Sequence, residues 1–71
     1  MEICKIQGEY IQLNQFLKKV NLVSSGGEAR FCIEQGEVFV NGRPADAIRK
    51  KLYSGDTVEY GGEQYKIEAE E

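Results

Sequence analysis

Ser25-Gly-Gly-Glu-Ala-Arg-Phe-Cys-Ile-Glu-Gln-Gly36, running directly into Glu37-Val-Phe-Val-Asn-Gly42, decides how this chain folds. Ser25 and Glu28 stand at capping-box spacing, so each can satisfy a backbone donor at a helix start. Gly36 can take the left-handed conformation that stops a helix. The apolar period then changes from helix to strand, and Asn41-Gly42 supplies the two positive-φ residues of a type I′ turn. The stretch therefore reads as helix, sharp stop, strand, hairpin turn.

Working outward, Leu13, Phe16, Leu17 and Val20 fall at i, i+3, i+4 and i+7, one apolar stripe of a preceding helix. Lys18 and Lys19 point away from the centre of that stripe, and Asn21 helps to end the helix. In the second helix Ala29, Cys32, Ile33 and Gly36 make the matching stripe, whose small members let the two helices approach closely. Phe31 falls off the stripe and is left either folded onto the sheet or partly exposed. Glu2-Ile-Cys-Lys-Ile6 alternates weakly as a first strand, with Gly8 closing it. Arg43-Pro44 must lie on an edge or leave the ladder, because proline has no N–H to donate. Lys50-Lys-Leu-Tyr53 leads to a turn at Ser54-Gly-Asp56, and Thr57–Tyr60 and Gln64–Ile67 are strands joined at Gly61-Gly62, with Tyr60 and Tyr65 placed to pack across the sheet or cap it. The expected architecture is α+β: two short helices forming an αα corner against a small, mostly antiparallel sheet, with the N-terminal strand on one edge.

Composition narrows the chemistry. Seventy-one residues are expected to make one domain, close to the size at which a core needs help from a metal, a disulfide or a partner. The chain has no histidine, and Cys4 and Cys32 form no metal or redox spacing, which removes most zinc sites and histidine-dependent catalysis. Cys32, at an apolar helical position, reads as a small core residue and Cys4 as a strand residue, and neither a cofactor nor a small-molecule substrate is expected. No run is apolar enough to cross a bilayer and no signal-peptide pattern opens the chain, so a cytoplasmic protein is expected. The net charge of −3 conceals a division. Residues 10–51 hold seven Lys or Arg against four acids, a local +3, while residues 1–9 contribute −1 and residues 52–71 contribute −5. Local field, screened over roughly 8 Å at physiological salt, steers a polyanion more than the net value does. The acidic tail Glu68-Ala-Glu-Glu71 reads as solvated.

The order of these signals resembles the S-four RNA-binding domain, also called the αL motif, found in pseudouridine synthases, tyrosyl-tRNA synthetases and small ribosome-associated proteins. The resemblance spans about residues 11–60. It rests on Leu13–Val20 as the first helix, Ser25, Glu28-Ala29-Arg30, and Gly36-Glu-Val-Phe-Val-Asn-Gly42, followed by Gly55-Asp56 before a last apolar strand. The shortness of the chain is like the stand-alone bacterial members. The resemblance implies a non-catalytic protein that binds structured RNA, ribosomal RNA foremost, on a face made by the two helices and the loop after the hairpin. Carried onto this chain, that face holds Lys18, Lys19, Ser24, Ser25, Gly26, Arg30, Asn41, Arg43, Arg49, Lys50 and Lys51.

Several of these residues also have plain structural readings. Arg30 stands four residues before Glu34, the spacing of an ordinary surface ion pair. Gly26-Gly27 replaces a Lys or Arg that many family members carry there, and either shapes the helix start or lets a phosphate approach backbone N–H groups. Arg49-Lys50-Lys51 as a solvated loop would keep an edge strand from aggregating. The four tyrosines lie outside any ribonucleoprotein-type aromatic signature, which favours recognition of backbone shape over stacking on single-stranded bases. A protein-interaction adaptor, docking through the acidic C-terminal half or the edge strands, is the alternative function. An enzyme is the weakest reading, since Asp56 and Glu59 are the only carboxylates to nominate and Asp56 is ordinary turn chemistry.

Overall fold

Alternation along the strands turns Cys4, Ile6, Val40, Val58, Tyr65 and Ile67 to one side of a sheet, and the helices lay Leu13, Phe16, Leu17, Ala29, Cys32 and Ile33 on them. The computed structural model describes residues 1–70; of the acidic tail, Glu71 lies outside them. In chain order the elements are β1 (Glu2–Ile6), β2 (Tyr10–Gln12), α1 (Leu13–Lys19), α2 (Gly26–Glu34), β3 (Phe39–Val40), β4 (Arg43–Pro44), β5 (Lys51–Tyr53), β6 (Thr57–Tyr60) and β7 (Glu63–Ala69). The main sheet has the order β1-β7-β6-β3-β4, antiparallel except where β1 runs parallel to β7. The α+β architecture, the edge positions of the N-terminal strand and of Arg43-Pro44, and the two helices match the sequence reading. No helix of the described residues is long and apolar enough to cross a membrane.

One part of the fold differs from expectation. β2 and β5 pair antiparallel as a separate two-stranded ribbon, with Tyr10 opposite Tyr53, Ile11 opposite Leu52 and Gln12 opposite Lys51. Lys51 is thus a strand residue rather than part of a solvated loop. Leu52 is buried under the ribbon and Ile11 packs beside it, while the other face points to solvent.

Turn chemistry follows the sequence closely. Asn41 and Gly42 have φ of 52° and 83°, and Gly61 and Gly62 of 61° and 85°, the paired left-handed values of type I′ turns. Gly36 stops α2 at φ 74°. Asn21, at φ 60°, closes α1, and the N–H groups of Leu22 and Val23 donate back to the Leu17 carbonyl.

Within the core Phe16 is fully buried and meets Tyr65 edge to face, centroids 5.4 Å apart. Truncating such a ring to Ala costs about 3–5 kcal/mol, much of the stability of a domain this small. Tyr60 also faces the helices, and its hydroxyl shares a hydrogen bond of 2.9 Å with the buried Cys32 thiol. Cys4 and Cys32 are both reduced and buried, as core residues should be. The bond to Cys32, reinforced by burial and the neighbouring Glu37 and Glu28, pushes the Tyr60 phenol up to about 12.

That shift sets the alkaline behaviour. Folded Tyr60 keeps its proton after the unfolded phenol, at its ordinary value of 10.0, has lost it. Its contribution is therefore complete below pH 10 and is lost as pH rises toward about 12. Tyr65 and Cys4, both raised chiefly by burial, act in the same direction. Tyr60→Phe should lower neutral-pH stability by about 1 kcal/mol and make the decline in Tm between pH 10 and 11.5 shallower than in the parent chain. Thermal melts across that range measure both effects.

Candidate nucleic-acid interface

The start of α1 draws the basic segment against the body of the domain. The first N–H groups of a helix have no acceptor within the helix. Here the Leu13 N–H donates to the Lys50 carbonyl at 2.8 Å and the Asn14 N–H to the Ile48 carbonyl at 3.1 Å. Residues 48–50 are therefore pinned by backbone bonds, with the Ile48 side chain packed against the core and those of Arg49 and Lys50 free of any ion pair among the described residues. Lys50 consequently shares with Arg43 an open groove of about 460 Å³, whose wall also includes Asn41, Pro44 and Asp46. Arg49 is exposed beside it. Lys51 follows on β5, its ammonium 4.8 Å from the centre of the Tyr10 ring. Arg43 and Lys50 thus share one groove, and Arg49 and Lys51 flank Lys50 along the chain.

A second group gathers at the other end of α1. Lys18 and Lys19 occupy its last turn, where cations suit the carbonyl end of the helix. With a rise of 1.5 Å per residue, α1 separates them from the Lys50 clamp by about 9 Å along its axis. The Lys19 charge opposes the upward shift that burial imposes on the Cys4 thiol of β1. Ser24, Ser25, Gly26 and Arg30 lie across the short connection, at the start of α2. The Ser25 hydroxyl accepts the Glu28 N–H at 3.2 Å. Glu28 completes only a shifted version of the capping box, because its carboxylate accepts from the Ser24 N–H at 2.8 Å. A Cβ built on Gly26 meets nothing within 4 Å, and one on Gly27 meets only Ser25 Oγ, at 3.9 Å. Neither packing nor a positive φ requires glycine there. Arg30 donates to Glu34 at 3.2 Å, with both side chains largely exposed, so this pair contributes little to stability. Phe31 beside it is 60 % exposed and does not fold onto the sheet.

Asn41 has a different role from the one expected of it. Its side-chain carbonyl accepts the Thr57 N–H at 2.9 Å and the Thr57 hydroxyl at 3.3 Å. Its amide donates to Asp56 at 3.1 Å, and Asp56 also accepts the Tyr53 N–H at 2.8 Å. The Asn41 side chain thereby joins the hairpin turn to the β5–β6 turn at the wall of the groove. Only its left-handed backbone was legible in Asn-Gly; the side-chain partners are 15 and 16 residues away.

Tyr10 and Tyr53, which the sequence places outside any ribonucleoprotein-type aromatic signature, meet on the outer face of the β2–β5 ribbon with centroids 5.9 Å apart. The available signal was the matched pattern Tyr-Ile-Gln and Lys-Leu-Tyr, two three-residue strands far apart in the chain. No group of three His, Cys, Asp or Glu among the described residues is placed to hold a metal.

Comparison with known proteins gives two results. The family model of the S4 domain, the S-four domain of the motif reading above, matches residues 4–68. A protein of Bacillus subtilis (strain 168) named as a probable ribosome maturation protein, RlbA, is 44 % identical over 57 residues, covering 80 % of this chain and 80 % of that relative.

The role of Asn41 separates into backbone and side-chain parts. Asn41→Ala loses the bonds to Thr57 and Asp56 and puts at positive φ a residue that tolerates it less well than Asn, and should cost about 2 kcal/mol. Asn41→Gly relieves the backbone strain and should cost about 1 kcal/mol. Urea unfolding of both variants measures the difference.

Proposed function

The chain belongs to the S4 domain family, and from that premise we propose that it is a non-catalytic RNA-binding protein with a ribosome-related role in the cytoplasm. The RNA is structured, ribosomal RNA foremost, and it is held through its phosphates. The observation that carries this reading is the groove shared by Arg43 and Lys50, with Arg49 and Lys51 next to Lys50 in sequence, on a chain whose net charge is −3. Arg presents a planar fork to phosphate oxygens and Lys a mobile point charge. Lys18 and Lys19, about 9 Å away along α1, suit further phosphates of the same strand. The name of the Bacillus relative supports a place in ribosome maturation. A protein-adaptor reading draws on Met1 and Ile3, 71 % and 50 % exposed at the β1 edge. It predicts partner capture that survives loss of the cations.

The electrostatic part has a direct test. Five to seven phosphate contacts would make log K fall with log salt at a slope of roughly −4 to −6. Arg43→Ala, Arg49→Ala and Lys50→Ala together should weaken binding to a folded ribosomal RNA fragment at least tenfold and make that slope shallower by about 2–3. Far-ultraviolet circular dichroism should stay unchanged, because the Lys50 contribution to the fold is its carbonyl. A flat salt response of the parent chain contradicts the reading.

Gly26 and Gly27 are tested by the opposite signs of stability and affinity. Alanine at both positions relieves the entropic cost of glycine and should stabilise the domain by about 0.5–1 kcal/mol in total. It also crowds the unpaired N–H groups of the α2 start, so RNA affinity should fall about threefold if a phosphate approaches them. Unchanged affinity assigns the glycines to shaping the helix start alone.

A further inference from the structure

We propose that Tyr10 and Tyr53, with Lys51, form a stacking platform for one unpaired nucleotide of the bound RNA, an inference that rests on the RNA-binding reading above. The two rings stand directly across the β2–β5 ribbon, tilted by 50° with centroids 5.9 Å apart, and are 39 % and 47 % exposed. The core does not require them there, because Leu52 and Ile11 fill the opposite face of the ribbon. A nucleotide offers an apolar base face and, one sugar away, a phosphate. The platform offers the complement: aromatic faces, and the Lys51 ammonium 4.8 Å from the Tyr10 centroid.

Charge around the rings favours this occupant. Arg49 and Lys50 precede Lys51 directly. Asp56, the acid just beyond Tyr53, is already engaged by the Tyr53 N–H at 2.8 Å and by the Asn41 amide. Glu9, beside Tyr10, is the one carboxylate next to either tyrosine in sequence, against three contiguous cations. The ribbon is also held rigidly to α1 by the Leu13 N–H bond to Lys50, so the rings are placed before RNA arrives. Base stacking is sequence-tolerant and little affected by salt, so the platform would add a preference for unpaired nucleotides to an otherwise shape-reading, phosphate-based interaction.

The test compares a fully paired RNA duplex with the same stem closed by a loop of unpaired adenosines, using the whole chain at one moderate salt concentration. The parent protein should bind the looped RNA at least about fivefold more tightly than the duplex. Tyr10→Leu with Tyr53→Leu should erase that preference while leaving duplex affinity intact, and Tyr10→Phe with Tyr53→Phe should retain it. In the parent chain the ring protons of Tyr10 and Tyr53 should move upfield with the looped RNA and stay in place with the duplex, a readout that stands even if the leucine variant fails to fold. Equal parent affinity for the two RNAs, a preference that survives the leucine changes, loss of preference in the phenylalanine variant, or unmoved ring protons at saturation would overturn the platform while leaving RNA binding in force. No binding of either RNA by the parent protein would remove the premise itself and return the exposed rings to a protein-facing role.

Discussion

The contact between Asn41 and Asp56 fixes the geometry on which the candidate interface depends. Asn41 must be left-handed to make the β3–β4 hairpin turn, and its side chain then reaches across to Thr57 and Asp56. Asp56 in turn accepts the Tyr53 N–H, which settles where β5 ends. From β5 the chain of consequence runs to β2, through the ribbon pairing, and to α1, through the bond from Leu13 to the Lys50 carbonyl. The bridge thus joins the two turns beside Arg43, while the start of α1 holds Lys50 through its carbonyl. The charges themselves remain exposed, and placing them requires no buried ion, since no polar or charged residue among those described is buried.

This division of labour suits a domain of limited stability. The core is apolar, built on Phe16 against Tyr65 and on the sheet residues beneath the helices, and Asn14 Oδ1 is the one buried side-chain polar atom among the described residues without a partner. The ion pairs Arg30–Glu34 and Lys5–Glu68 are both exposed and contribute little to stability. The acids after residue 52 keep the chain negative overall, while the groove is lined by Arg43 and Lys50 against Asp46. A polyanion would then be guided to one region of the surface, with the rest repelling it.

The fold was largely legible in the sequence because its decisive signals are local. Ser25 with Glu28, Gly36, Asn41-Gly42 and Gly61-Gly62 each set a backbone conformation within a few residues, and the apolar stripes of α1 and α2 follow from periodicity alone. The ribbon of β2 and β5 was not legible, because a three-residue strand carries almost no periodic signal and its partner lies about forty residues away. The cations of the candidate site were visible as residue types, yet their division into two groups at the ends of α1 arises only from the tertiary clamp. Asn41 was recognised as a turn residue and taken for a ligand contact, whereas its side chain closes the turn-to-turn bridge. Tyr10 and Tyr53 lie outside any ribonucleoprotein-type aromatic signature, and only strand pairing makes them neighbours.

The central claim is that the two cation groups flanking α1, together with the α2 start, form one RNA-facing surface. Titrating the isotope-labelled protein with a structured ribosomal RNA fragment at low and at moderate salt, while following backbone amides, tests it most directly. The account predicts shifts concentrated at Lys18, Lys19, Ser25 through Arg30 and Arg43 through Tyr53, weakening steeply as salt rises. An absence of shifts at low salt, or shifts centred on β1 and the acidic end of β7, would contradict it.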